Sequence, residues 1–199
     1  MKPVARNEVL GLAEYESLRE PFRTRVIKEK KGRRVALGPQ ASCLFENRDT
    51  ALLQIQEMLR TERITREAAI LHEIETYNQL VPGDHELAAT VLIEIDEKAD
   101  RETFLFEAKG LDRAFSLVVD GASCPGKHDE AREQPDRTTA VHYLKFPLAA
   151  EAERALRDVL GKKRKASDVK VEIVVDHPRY SAKTTLPASL VASLAEDLA

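Results

Sequence analysis

The chain has 199 residues, of which 43% are hydrophobic and 33% are charged, and its net charge is −3. This length and hydrophobic content suit one globular domain with a full core, so we expect a single domain over residues 1–199. The small net charge argues against a strong overall attraction to nucleic acid or membrane. With no tryptophan and 5% aromatic residues, the chain also lacks the composition of a broad base-stacking surface.

Signals for export or membrane insertion are missing from the sequence. No apolar stretch of signal-peptide length follows Met1, and no apolar run approaches the ~20 residues that span a bilayer. Cys43 and Cys124 are the only cysteines, which argues against a disulfide framework and a cysteine-based zinc site. We therefore expect a cytoplasmic protein that does not associate with membranes.

The first part of the chain is predicted to be mostly helical. Residues 7–31 are expected to form two short helices, because Pro21 interrupts the run. A β-hairpin is predicted over 33–46. Apolar residues at helical spacing then predict a helix over 48–63, capped by Asn47 or Asp49, and a second helix over 66–79. The short link between these two helices predicts an antiparallel pair over 48–79.

The second half alternates strands with short helices. Apolar and alternating patterns predict strands at 88–95, 115–119, 139–146 and 169–175, and helices at 100–109, 149–160 and 187–198. Glycine, proline and many charged residues predict a mobile loop over about 120–137. Pro178 makes Asp176-His177-Pro178 a turn after the last strand.

These elements predict the fold class. About six strands without regular β-α-β alternation indicate an α+β fold. We expect a mostly antiparallel sheet with helices packed on one side, including the helix pair at 48–79.

A polar cluster at the start of the predicted 48–63 helix is the best candidate for a binding site. Its members are Glu46, Asn47, Arg48 and Asp49, followed on the helix by Gln54, Glu57 and Arg60. A strand–helix junction exposes backbone amides and the positive end of a helix dipole, which suits anions or a fixed polar network. Two interpretations stay open: a helix cap with ion pairs, or a site for a partner or small ligand.

Metal chemistry is one alternative. His72 and Glu75 lie on the second helix of the predicted pair, and the first helix brings Glu57. Di-iron bundles use Glu-x-x-His pairs, whereas the spacing here is reversed. A single mixed site of Glu57, His72 and Glu75 is the form that this alternative takes.

Other catalytic motifs lack their residues. No Gly-x-Ser-x-Gly sequence supports His142 or His177 as members of a hydrolase triad. Neither a Gly-x-Gly-x-x-Gly nor a Walker motif is present. The sequence therefore names no catalytic residue.

Nucleic-acid binding is a second alternative. The segment 23–34 holds seven lysines and arginines with Glu29 as its only acidic residue, and a second basic run covers 162–165. Such clusters neutralise phosphates, although lysines also collect at helix ends for solubility.

Several segments carry a family resemblance. The most specific is Phe45–Arg60, and further matches are Arg34–Pro39, Tyr77–Pro82, Thr139–Leu144 and Asp176–Tyr180. In these segments the chain resembles DUF3501, a bacterial family of unknown function. The resemblance implies a single domain and supplies no catalytic residue or cofactor. Members accompany rubrerythrin-like and iron–sulfur oxidoreductase proteins, which implies a link to oxidative-stress defence.

The leading functional hypothesis is therefore a non-catalytic accessory or binding protein without a cofactor of its own. The 46–60 polar surface would engage a protein partner, which by resemblance belongs to a rubrerythrin-like or iron–sulfur system, or a small ligand. A metal-dependent enzyme and an RNA- or DNA-binding protein are the alternatives.

Overall fold

The computed structural model of the chain describes residues 1–128 and 134–199. Six α-helices and nine β-strands lie within these ranges. The helices are α1 Leu12–Gly32, α2 Arg48–Thr61, α3 Glu67–Asn78, α4 Lys98–Glu107, α5 Ala150–Leu160 and α6 Ala188–Glu196. The strands are β1 Arg34–Ala36, β2 Ala41–Glu46, β3 Glu86–Ile93, β4 Phe115–Val119, β5 Ala122–Pro125, β6 Lys127–His128, β7 Val141–Pro147, β8 Val171–His177 and β9 Tyr180–Thr185.

The strands form two antiparallel sheets. The first has the order β1-β2-β3-β7-β6 and the second the order β5-β4-β8-β9. Every strand pair in the described ranges is antiparallel. The predicted α+β class, antiparallel pairing and helix pair at 48–79 are confirmed. The structure has nine strands in two sheets, where about six strands in one sheet were predicted.

The main hydrophobic core is shared by both sheets. Alternate residues of β2, β3 and β7 in the first sheet and of β4 and β8 in the second turn towards it, because strand side chains alternate between faces. Apolar residues of α4, α5 and α6 complete this core. A smaller core joins α2 and α3 to the N-terminal segment through Val9, Ile55, Leu59, Ile70 and Ile74. The helices thus serve two cores instead of covering one side of a single sheet.

One long helix replaces the two short helices predicted at the N-terminus. Helix α1 runs from Leu12 to Gly32 with Pro21 inside it. Proline removes one backbone hydrogen bond but does not prevent contacts on either side. Here α2 holds α1 on both sides of Pro21, since Arg19 pairs with Glu57 and Arg25 pairs with Asp49.

The prediction of a loop over 120–137 is wrong for residues 122–128, which contain the strands β5 and β6. Asp120 and Gly121 both have positive φ, as the two central residues of a type I′ hairpin turn require. They connect β4 to β5, and β6 then pairs with β7. Residues 129–133 of the predicted loop lie outside the described residues.

Strand β9 was missed by the sequence analysis. Strand β8 continues through His177, which pairs with Tyr180, so that the predicted turn at 176–178 begins two residues too early. Exposed Ser181 and Thr185 give β9 the polar character of an edge strand, which weakens its apolar signal. Within the described ranges, none of the helices combines the length and apolar character that a membrane crossing requires.

Candidate functional site

The side chains of the predicted polar cluster form hydrogen bonds and ion pairs with other residues of the chain. Asn47 caps α2, because its side chain accepts a hydrogen bond from the Thr50 amide at 3.0 Å. Buried Glu46 accepts one from Thr90 Oγ1 at 2.7 Å. Arg48 donates to the Lys2 carbonyl at 3.1 Å and pairs with Glu8.

The remaining members of the cluster fasten α1 and α3 to α2. Asp49 accepts from Arg25 Nη1 at 2.5 Å, and Arg60 Nε donates to Glu16 at 2.6 Å. Gln54 faces Tyr77 on α3 and opposes the rise in the Tyr77 pKa that desolvation causes. These contacts give each of these six cluster residues a structural role. Their binding of a partner stays a prediction.

Glu57 is the most heavily bonded member. It accepts two hydrogen bonds from the Arg19 guanidinium, both at 2.8 Å, and one from Tyr15 Oη at 2.7 Å. The Arg19 hydrogen bonds, followed by that of Tyr15, outweigh desolvation and lower the pKa of Glu57 to about 2. Because folding lowers the pKa of Glu57, its carboxylate stabilises the fold at pH values above the pKa that it has in the unfolded chain. This contribution is lost as the pH falls towards the folded pKa.

We therefore expect Glu57→Gln to lower the free energy of unfolding by about 1 kcal/mol at neutral pH, a value discounted for solvent screening. The loss should shrink as the pH falls from 4.5 towards about 2, where wild-type Glu57 also becomes protonated. Urea denaturation across this range measures both effects. Exposed Glu75 on α3 supplies the control, and Glu75→Gln should leave the curve unchanged. A loss that stays constant with pH would contradict the assignment.

The structure does not assemble the alternative metal set. His72 and Glu75 are exposed on α3, while Glu57 is engaged by α1. In the part of the chain that the structure describes, no group of three or more His, Cys, Asp or Glu side chains is arranged to hold a metal ion.

The arginines of the basic segment 23–34 are paired with acidic neighbours. Arg33 is 2% exposed and pairs with Asp197. Arg25 pairs with Asp49, and Arg34 lies 3.5 Å from Glu94. The three lysines of the segment form no ion pair within the described ranges, and nucleic-acid binding by this segment stays a prediction.

A polar pocket of about 180 Å³ lies elsewhere, beside the strand β7. We call it the histidine pocket. Its lining includes Lys109, Asp112, Arg113, His128, Arg137 and His142. These residues come from the segment after α4, from β6, and from the start of β7 with the segment before it.

His142 is the unusual residue of this pocket. It is 4% exposed, and its ring packs against Phe115 with centroids 5.5 Å apart. Within residues 1–128 and 134–199, two buried side-chain nitrogen or oxygen atoms have no hydrogen-bond partner: His142 Nε2 and Ser42 Oγ. A buried polar atom without a partner costs free energy, so such atoms are rare unless a ligand or water completes them.

The charge state of His142 follows from its burial. Desolvation is the main reason why the pKa of His142 is lowered to about 4; Asp112 opposes this shift, His128 adds to it, and the Thr139 backbone opposes it. The ring is therefore neutral at physiological pH. A lowered histidine pKa means that stability is lost as the pH falls from 6.5 towards about 4.

Opposite charges flank His142 in the pocket. His128 Nε2 lies 2.9 Å from Asp112 Oδ2, and both side chains are largely buried. Among the lining residues that the structure describes, Lys109, Arg113 and Arg137 are cationic and Asp112 is anionic. Arg137 is paired with Glu102, whereas Lys109 forms no ion pair within the described ranges, so the ammonium of Lys109 is left for an acidic ligand.

Arg137 is held in position by three neighbours. Its Nε donates to Gln134 at 2.9 Å, its Nη1 pairs with Glu102, and its guanidinium lies 5.5 Å from the centroid of the Phe106 ring. Phe106 is 50% exposed, although large apolar side chains usually avoid water.

No pattern in the sequence indicated this pocket, although the predicted strand at 139–146 includes His142. No role was predicted for this residue. One signal was available: strand alternation puts His142 on the same face as Leu144 and Phe146, where a polar residue needs a partner.

The fold and the pocket define an α+β protein with two antiparallel sheets and a polar pocket. The model of the family described as "Protein of unknown function (DUF3501)" matches residues 3–198, so the chain belongs to this family. The family resemblance is thereby confirmed.

One similar solved structure is the crystal structure of a novel protein of unknown function from Burkholderia pseudomallei. It shares 32% sequence identity with this chain, covers 100% of both chains and has a TM-score of 0.88. No curated protein matches the sequence.

Proposed function

We propose that this protein binds a small acidic metabolite that also carries a hydroxyl or amine donor, and that it does so in the histidine pocket. The observation that carries this proposal is the buried Nε2 of His142, which has no partner among the described residues. The hydroxyl or amine of the ligand would donate the hydrogen bond that His142 Nε2 lacks.

The hydrogen-bonding role of His142 follows from its tautomer. Because Nε2 has no partner in the described ranges, the ring nitrogen that faces the Thr139 backbone is Nδ1. The Thr139 backbone opposes the lowering of the His142 pKa, which favours the tautomer whose proton lies on Nδ1. A neutral histidine with its proton on Nδ1 offers Nε2 as an acceptor. The matching ligand group is an O–H or N–H donor.

The acidic group of the ligand follows from the charge of the lining. Lys109 lines the pocket and forms no ion pair within the described ranges, so its ammonium is available to an acidic group. Charged hydrogen bonds from lysine or arginine to a carboxylate or phosphate are stronger than neutral ones.

The test compares α-hydroxy acids with their parents that lack the hydroxyl, for example α-hydroxybutanoate with butanoate. We expect the hydroxy acid to raise the melting temperature and to shift the His142 ring signals in long-range ¹H–¹⁵N spectra. The parent should bind more weakly, because it leaves His142 Nε2 without a partner.

The variant for this test is His142→Phe. It should abolish the preference for the hydroxy acid, and it should leave the ligand-free protein as stable or more stable, because an unpartnered buried polar atom is removed. Ser42→Ala, which removes the other such atom away from the pocket, should keep the preference. Equal binding of both acids by the wild type, or no binding of either, would reject the proposal.

A protein partner remains a second candidate function. The prediction of a rubrerythrin-like or iron–sulfur partner in oxidative-stress defence is supported by the family resemblance alone. A pull-down with the wild type, compared with Arg48→Ala, would test whether the 46–60 surface contributes to such an interaction.

A further inference from the structure

A second cavity adjoins the histidine pocket. It has a volume of about 450 Å³ and lies between the end of α3 and the strands β3, β7 and β6. Gln79 and Leu80 form its helical side, and Ala88 leaves room at the sheet surface. We call it the lysine cavity, because Lys127 and Lys145 line it.

The two cavities share a wall. His128 and Tyr143 line both of them. A molecule in the histidine pocket that extends past these two side chains would enter the lysine cavity. The two cavities have volumes of about 180 and 450 Å³, and their combined volume is in the range that is typical of metabolite-binding sites.

The two lysines of this cavity differ in their contacts. Lys145 Nζ lies 3.0 Å from Glu86 Oε1 and also donates to the Val81 carbonyl, so its charge is already compensated. Lys127 is exposed and forms no ion pair with residues of the described ranges. Its ammonium is the group in this cavity that a second acidic group would meet.

Lys109 is the counterpart of Lys127 in the histidine pocket. It is also exposed and without an ion pair to the described part of the chain. The shared wall thus separates two cavities, each with one uncompensated lysine. This arrangement suits an elongated ligand with an acidic group at each end.

We infer that the ligand is an α-hydroxy dicarboxylate or a comparable diacid whose second acidic group reaches Lys127. This inference rests on the proposed function of the histidine pocket. The hydroxyl and the first carboxylate would occupy that pocket, next to His142 and Lys109. The chain of the ligand would pass His128 and Tyr143.

The experiment uses α-hydroxy diacids of increasing length: malate, α-hydroxyglutarate and α-hydroxyadipate. Each is paired with the α-hydroxy monoacid of equal carbon number, and dissociation constants are measured by calorimetry. We expect one diacid length to bind about tenfold more tightly than its monoacid, as one added charged hydrogen bond provides.

Lys127→Gln and Lys109→Gln are the matched variants, and both change exposed side chains. Lys127→Gln should remove the advantage of the diacid and leave monoacid affinity unchanged. Lys109→Gln should weaken both ligands.

The outcomes separate the two proposals. Monoacid binding without a diacid advantage at any length, or an advantage that survives Lys127→Gln, rejects the diacid inference and leaves the proposed function standing. No binding of any of these acids rejects both.

Discussion

Arg33→Met should lower the free energy of unfolding by about 3–5 kcal/mol, the usual cost of leaving a buried charge without its partner. Arg33 and Asp197 are 2% and 3% exposed and pair with each other. Arg33 also donates to the Phe45 carbonyl at 2.9 Å and to Ser193 Oγ at 2.6 Å. This side chain therefore ties the end of α1 to β2 and to the C-terminal helix α6. Urea denaturation at neutral pH measures the loss.

Arg34→Met is the matched control for this prediction. Arg34 is the next residue, is 44% exposed in its side chain and lies 3.5 Å from Glu94. Such surface pairs contribute about 0–1 kcal/mol. Combining Arg33→Met with Asp197→Leu should recover much of the loss, because apolar replacement of a whole buried pair is often neutral. Similar losses for both arginine variants would contradict the assignment.

The stability of the Arg33→Met variant should also depend on pH. Desolvation raises the pKa of Asp197 to about 6 even though the Arg33 charge opposes the rise. Without Arg33 the pKa of Asp197 rises further. Because the pKa of Asp197 is higher in the folded protein than in the unfolded chain, where it is near 4, its protonated carboxyl contributes to stability at low pH. This contribution is lost as the pH rises through the folded pKa. The variant should therefore be least stable at neutral and alkaline pH and recover in mild acid.

Gly38→Ala should lower the free energy of unfolding by about 2–4 kcal/mol, because overpacking and a left-handed backbone both cost free energy. Gly38 has a φ of +73°, and an added Cβ would lie 2.6 Å from Tyr180 Oη and 3.0 Å from Ala182 Cβ. Tyr180 Oη donates to the Leu37 carbonyl and accepts from the Gln40 amide at 3.2 Å. The substitution would thus disturb the contact between the β1–β2 turn and β9.

Gly121→Ala separates the two causes of this loss. Gly121 has a φ of +89°, but an added Cβ would meet no atom within 4 Å. It should cost only the backbone term of about 1–2 kcal/mol. Adding Tyr180→Phe to Gly38→Ala removes the clashing hydroxyl, so the double variant should lose less than the sum of the two single losses. Strict additivity in this thermal or urea denaturation cycle would contradict the proposed contact.

Local signals determined much of the fold. The end of β2, the Asn47 cap and the apolar stripe of α2 are adjacent in the chain, so their pattern predicts a strand followed by a helix. The apolar run of β3 similarly indicated a central strand, and its place between β2 and β7 confirms it. These predictions succeed because caps and side-chain periodicity act within a few residues.

Distant contacts explain what the sequence did not reveal. Arg33 was counted in an exposed basic segment, yet its buried partner Asp197 lies 164 residues away. The edge strand β9 carries polar residues whose pairing with β8 is invisible in its own pattern. Such partners follow from the arrangement of the two sheets, which no local signal encodes.

The sequence by itself determined the family, the α+β class, the helix pair and the polar cluster of α2. The tertiary structure decided that this cluster is bonded internally and that His142 lies buried in a pocket. It also brought the segment around Lys109 and Asp112 to the start of β7, about thirty residues further along the chain. A binding pocket depends on which surfaces meet when the sheets pack, because its charge and burial are properties of several segments together.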